Sequence, residues 1–417
     1  MNLAIFVLLA VDFPTQFQPA IAENSKVREA LASIDTRREP LVQEWIHVTE
    51  ISAPSGGEKD RARYLRAELE KIGLTGIRVD SMGNLEATRK GTEPGPPVVF
   101  AAHMDTVFAA STPLKVERSE GVLRCPGIGD DTGGLVALLE AFRALQHSGI
   151  RTRRDLVFLA TVQEETRLQG MRHWLTQAAV KPAMLVAVDI QLGSVWYGAF
   201  RISRLQFFYT SPGAHTLVSR GQPNPAKAVS KGILDLYALP LPEPATGLGE
   251  MRLPVLNVGK IGGGTVINAI PQEAWFTVDL RSLDSATQDR LESQVAATAK
   301  KAAQAEGVGF RMEKPDGDDL DYSKALPKDQ RRKHPMVQTA VDINNFLKLN
   351  VAGAGDAVDA GSTDANVGVA MGVPSIAVGA IRHRNGHTLT EQADESSIVT
   401  GTKMLILLAS SLAGLAK

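Results

Sequence analysis

Cysteine is nearly absent: the 417 residues hold one, Cys125. One thiol excludes an intrachain disulfide framework and any zinc site built from cysteines. A metal in this chain would have to be held by histidine and carboxylates, and only 8 histidines are available. An excess of one charge sign is lacking too. Against 45 Lys and Arg stand 46 Asp and Glu, a formal net charge of -1, which gives no electrostatic case for nucleic acid or an anionic membrane. Long apolar runs are missing. The longest candidate, "LAIFVLLAV" at 3–11, is too short to span a bilayer. Internal repeats and low-complexity tracts are also absent. The triple glycine 262–264 lacks the lysine and the strand–helix setting of a phosphate loop.

The N-terminus reads two ways. The apolar run followed by "AIA" at 20–22, ahead of Glu23, suggests an export signal over residues 1–22 and a periplasmic or secreted protein. No Lys or Arg precedes the run and Asp12 follows it, features of an ordinary cytoplasmic N-terminus.

What is present is a soluble composition, 44% apolar and 22% charged, and a chain too long for one ordinary core. Residues 24–73 place apolar side chains at helical spacing, with Gly73 as a C-cap. "ISAPSGGE" at 51–58 breaks the helices. Then strands and helices alternate: "PPVVFAAH", "GGLVALLEAFRALQHSG", "DLVFLATVQEE", "GMRHWLTQAA", "AMLVAVD". That alternation predicts an α/β layer, a mixed and largely parallel sheet with helices on both faces. From residue 201 the order becomes β-α-β-β-α-β, the pattern of a ferredoxin-like α+β domain. The α/β style returns after a polar connector, with a final helix expected over 392–415. The reading is a catalytic domain over 23–200 and 319–417 with a smaller domain inserted at 201–318.

Strand ends carry the chemistry, because ligands of open α/β sheets bind outside the carboxyl ends of strands. An isolated His-x-Asp such as His103–Asp105 is most often a hydrogen-bonded core histidine and a turn. Here it has company. "CPGIGDDTGGL" presents Asp130 and Asp131, "QEE" presents Glu164 and Glu165, "AMLVAVD" ends in Asp189, and "RHRNGHTLTE" offers His383 and His387. Paired carboxylates repel unless a cation lies between them. No arginine cluster accompanies them, so a divalent metal, or two, is the expected neutraliser. Mixed His and carboxylate donors suit zinc, with manganese or cobalt as substitutes.

"HMDTV", "PGIGDDTGG", "QEE", Asp189, and His387 ahead of Glu391 together resemble one dinuclear zinc hydrolase family. It includes carboxypeptidase G, peptidase T, carnosinase-type dipeptidases, aminoacylase, acetylornithine deacetylase and succinyl-diaminopimelate desuccinylase. The resemblance covers residues 40–400. It implies two Zn2+ per subunit. His103 and Asp189 would hold one, Glu165 and His387 the other, and Asp130 would bridge. Asp105 would orient His103, Glu164 would be the general base, and the Asp130–Asp131 peptide would be cis. The inserted domain would form a lid and a homodimer contact. Its His215 would reach the partner's active site to stabilise the oxyanion, and Asn268 and Arg281 would bind the substrate carboxylate. The sequence departs from the family at Thr132, where a lysine commonly follows the Asp pair, and the position suggests a helix-start contact. "AGSTDANVG" at 360–368 matches a substrate-side loop without an assignable role for Thr363 or Asp364.

The expected activity is hydrolysis of an amide in a small peptide or acylated amino acid by an exopeptidase. The alternatives are an N-acyl-amino-acid deacylase and a non-catalytic metal- or peptide-binding homologue.

Overall fold

A computed structural model describes residues 13–245, 251–315, 319–349 and 357–416. They divide into two compact units, one drawn from Met1–Gly198 and Tyr322–Lys417, the other from Ala199–Asp321.

The larger unit is organised by strands whose residues leave no polar side to face water. Val98–His103, Leu156–Thr161 and Ser375–Gly379 are buried at every position. With Met184–Leu192 they form the parallel centre of a seven-stranded sheet. Antiparallel strands flank this centre: Leu85–Arg89 and Thr75–Val79 on one side, Val195–Trp196 on the other. Alternation along the strands shows that both faces are covered. Val186, Val188, Ile376 and Val378 join the main core, while Ala187 and Ala377 point the other way and meet Ala365. Helices Thr132–His147 and Ser397–Ala413 are apolar nearly all round because they pack on each other and on the sheet. Helix Lys59–Ile72 stops where expected, at Gly73 with φ 81°.

One boundary differs from the sequence reading. The final helix begins at Ser397, because Gln392–Asp394 is a strand paired with Val122–Arg124. At the other end, residues 1–12 of the proposed leader lie outside the described residues. The rest of it is folded: Phe17 and Ala22 are buried in the main core, Phe17 packs edge-on against Phe346, and residue 22 lies inside helix Pro19–Glu23. No helix among the described residues is long and apolar enough to cross a membrane.

The smaller unit is a four-stranded antiparallel sheet with spatial order Val255–Gly263, Glu273–Ser282, Arg201–Thr210, Gly309–Glu313. Helices Pro225–Tyr237 and Ser285–Glu306 supply the crossovers, so the order is ferredoxin-like. Its core is its own: Leu205, Phe207 and Tyr209 share one face of their strand and pack with Phe276, Val278, Leu291 and Val295.

Candidate active site

Parallel pairing decides which side chains meet. His103 is in register with Thr161, so the strand that ends in His103 and the strand leading to Glu164 and Glu165 finish side by side. Asp189 lies on the next strand, which runs three residues beyond it to Leu192. The peptide Asp130–Asp131 is cis, as the resemblance implied.

Asp130 sits between two imidazoles. Its Oδ1 is 2.9 Å from His103 Nε2 and its Oδ2 is 3.0 Å from His387 Nε2. His387 Nε2 is also 2.9 Å from Glu165 Oε1, and His103 Nε2 is 3.8 Å from Asp189 Oδ1. The structure thus brings together His103, Asp130, Glu165, Asp189 and His387. His383, the other histidine of its loop, makes no such approach. Its ring packs over Gly129, where a Cβ would lie 2.6 Å from it. His387 owes its reach to a left-handed backbone, φ 62°.

Asp105 lies behind the His103 ring and also holds other groups. His103 Nδ1 donates to the Asp105 carbonyl at 3.0 Å, and the Asp105 carboxylate is farther, at 3.4 Å. Both groups of Asp105 thus face the ring nitrogen. The carboxylate accepts from Ser55 Oγ at 2.6 Å, from Glu164 N at 2.9 Å and from Glu165 N at 3.2 Å. Asp105 therefore fixes the backbone of the Glu pair.

Glu391 is the residue whose role the sequence concealed. It is fully buried, and its two oxygens accept from Gly127 N, Gly129 N and Asp130 N at 2.8–2.9 Å. It shapes the glycine-rich loop. Thr132 opens the following helix and its hydroxyl donates back to the Gly127 carbonyl, closing the same loop. Asp364 is also near. It is buried, accepts from Thr161 Oγ1 at 2.6 Å, and burial pushes its carboxyl up to about 6.

The electrostatics of this cluster call for a cation. Burial pushes Glu164 and Asp189 well above the usual carboxylate range, and neighbouring carboxylates push the same way. Burial opposes the charge on Asp130 too, but His103 and His387 hold it below its ordinary value. His387 in turn is raised to about 10 by Asp130 and Glu165. Protons on the two imidazoles thus do the work of positive charge among the carboxylates.

The donor chemistry fits metal ions. A carbonyl only accepts, so His103 Nδ1 keeps its proton, and Nε2 would present a lone pair once an ion takes the place of the proton there. Glu165 Oε1 is buried and has no hydrogen bond of adequate geometry, although His387 Nε2 is close. Closeness without donation suits two ligands of one ion. His103, Asp130 and Glu165 offer atoms within 4.8 Å of one another, and so do His103, Asp131 and Asp189. Of these, Asp131 Oδ2 already accepts the His103 amide, which makes Asp189 the freer donor.

In the smaller unit, His215 and Asn268 are neighbours. Ala214–His215 pairs with Ala269–Ile270, and Thr216 N donates to the Asn268 carbonyl. Both side chains are exposed. Arg281 lies at the other end of strand Glu273–Ser282 and is held by both oxygens of Asp279 at 3.0 and 3.1 Å. Asn268 lies before the start of that strand and Arg281 near its end.

Comparisons of sequence and of fold find related proteins. The profile of peptidase family M20/M25/M40 matches residues 99–411. An uncharacterised protein, YqjE of Bacillus subtilis, is 24% identical over 88% of this chain and 96% of its own. Succinyl-diaminopimelate desuccinylase of Corynebacterium glutamicum is 28% identical over 62% of this chain and 69% of its own. A tripeptidase from Staphylococcus aureus superposes with a TM-score of 0.71 at 20% identity, covering 90% of this chain and 98% of that one. The dipeptidase Dug1p of Saccharomyces cerevisiae gives 0.69 at 16% identity, covering 93% and 98%.

Proposed function

Because the chain belongs to peptidase family M20/M25/M40, we propose that it is a dinuclear zinc exopeptidase acting on small peptides or acylated amino acids. One observation carries the reading. Asp130 turns its two oxygens to two different histidines, with Glu165 beside one and Asp189 beside the other. His103 and Asp189 would hold one ion, Glu165 and His387 the second, and Asp130 both. Bound ions supply Lewis acidity to the water nucleophile and to the scissile carbonyl. Glu164 takes the proton from the attacking water and returns it to the leaving nitrogen. It is suited to that shuttle because it is buried beside the ligands, and its backbone is held by Asp105.

The smaller unit serves as lid and dimer contact in this reading. Strand Val255–Gly263 is a sheet edge, mostly exposed, with Ile261 63% accessible and Tyr237 on a nearby helix 56%. Two such edges pairing antiparallel give an isologous contact. His215 and Asn268 would then act on the neighbour's substrate, with His215 stabilising the oxyanion, and Arg281 would bind a carboxylate elsewhere.

The test is a zinc titration together with a panel of di- and tripeptides and their N-acetyl and C-amide forms. Chelation is expected to abolish turnover and Zn2+ to restore it, with cobalt or manganese as substitutes. Cleavage confined to N-acyl amino acids would make the protein a deacylase. A single ion bound by neither Asp130 nor Glu165 would refute the two-metal assignment. Zinc binding with no turnover on any member would leave a binding protein.

A further inference from the structure

The segment carrying Glu164 and Glu165 is held in an unusual way. Past strand Leu156–Thr161, the next four amides, Val162 to Glu165, each donate to a side-chain oxygen. Val162 N donates to Asn84 Oδ1 and Gln163 N to Glu58 Oε1, both at 3.0 Å. Glu164 N and Glu165 N donate to Asp105. Each acceptor is itself fixed. Asn84 Nδ2 donates to Asp80 Oδ2 and to the Gly170 carbonyl. Glu58 Oε1 also accepts from Gly56 N, and Glu58 is buried at the mouth of helix Lys59–Ile72. One helical turn on, Arg61 is fully buried and donates to the carbonyls of Met104 and Ile51. Burial lowers it only to about 10, with Asp105 and Glu58 holding it up, so it is a cation between those two carboxylates at neutral pH.

Gln163 is the position that needs holding. Its φ is 52°, a left-handed conformation that strains a non-glycine residue. It directly precedes the proposed base, so its backbone angles aim the Glu164 carboxylate. We infer that Glu58 is a positioning residue for the general base, fixing the turn at Gln163 through the 3.0 Å bond from its amide. This rests on reading Glu164 as the base. The geometry separates Glu58 from Asp105. Asp105 holds the Glu pair itself, whereas Glu58 holds only the residue before it and touches no metal donor.

Three variants at residue 58 decide the matter, read first by backbone hydrogen exchange over residues 162–165 and then by kinetics. Glu58→Gln keeps an oxygen at the same reach but no charge. Glu58→Asp keeps the charge beside Arg61 but withdraws the oxygen by one methylene. Glu58→Ala removes both. Exchange is expected to quicken by about tenfold or more in the Asp and Ala variants, and to stay near wild type in Gln. With the fastest peptide of the panel, kcat should fall by about 10- to 100-fold in Asp and Ala, with KM within about threefold, and recover in Gln. Zinc affinity should stay within about threefold throughout. Should Ala not fold, Asp and Gln carry the same contrast. The reverse order, Asp near normal and Gln impaired, would show that Glu58 acts through its charge on Arg61 and would overturn the inference. So would unchanged exchange in Asp, or loss of zinc in place of loss of kcat. If wild type cleaves no peptide, the proposed function fails, and the exchange measurements still decide whether Glu58 fixes the turn.

Discussion

The two units present their functional residues in opposite ways. In the larger unit His103 is 2% exposed, Asp105 and Glu391 are fully buried, and both of those carboxylates accept from backbone amides of other segments. In the smaller unit His215 and Asn268 lie on the surface, one beside the other, and Arg281 is held only by Asp279 in its own strand. The first arrangement is preorganised: the cost of holding carboxylates together is met during folding. The second is a set of groups with the geometry of a contact still to be made. A residue of the first kind should fail alone when changed. A residue of the second kind should be replaceable by a copy on another chain.

The sharpest test of that contrast pairs Glu164 with His215. Glu164→Gln keeps size and hydrogen bonding but cannot accept the proton, and should lower turnover by about 100-fold or more with metal retained. His215→Ala should lose about 100- to 1000-fold, the range for one oxyanion donor, again with both ions bound. Mixed under subunit exchange, the two variants should regain activity. One site of the heterodimer carries both defects and the other is intact, so up to about half of wild-type turnover returns. Verified exchange without recovery would place His215 in its own chain's site or outside catalysis.

A smaller effect is expected at Arg281. Arg281→Lys keeps the charge but not the planar fork, so KM for substrates with a free carboxylate should rise by about tenfold while kcat holds. Amidating that carboxylate should remove the difference between variant and wild type. An equal change on both substrates would make Arg281 a partner of Asp279 and nothing more.

The smallest effect lies away from both sites. His334 caps helix Pro335–Phe346, its Nδ1 accepting from Met336 N, and burial lowers its pKa. The folded state therefore prefers neutral His334, while the unfolded chain takes up a proton near pH 6.5. Its contribution is present above that value and is lost as pH falls below it, by no more than about 1 kcal/mol. His334→Asn caps without titrating. Denaturant midpoints at pH 7 and pH 5 should differ less for the variant than for wild type, and equal differences would show that the cap is not pH-sensitive.

The sequence by itself was enough for the α/β alternation, the inserted β-α-β-β-α-β order, and the candidate donors at strand ends. Each is a local pattern: hydrophobic period, a turn residue, an acid where an apolar run stops. The left-handed cap at Gly73 and the helix start at Thr132 follow from the same local rules. What the tertiary structure decided was which of these groups meet, and through which atoms. It set the His387 ring against Asp130 and left the His383 ring over Gly129. It set the Asp105 carbonyl against His103 and gave its carboxylate the amides of the Glu pair as well. It made Glu391 and Glu58 anchors of backbone far away in sequence, and it parted Asn268 from Arg281 by the length of a strand. A hydrogen bond from a side chain to a distant amide leaves no period and no motif. Its partner is set by strand register and loop path, and those exist only once the chain has folded.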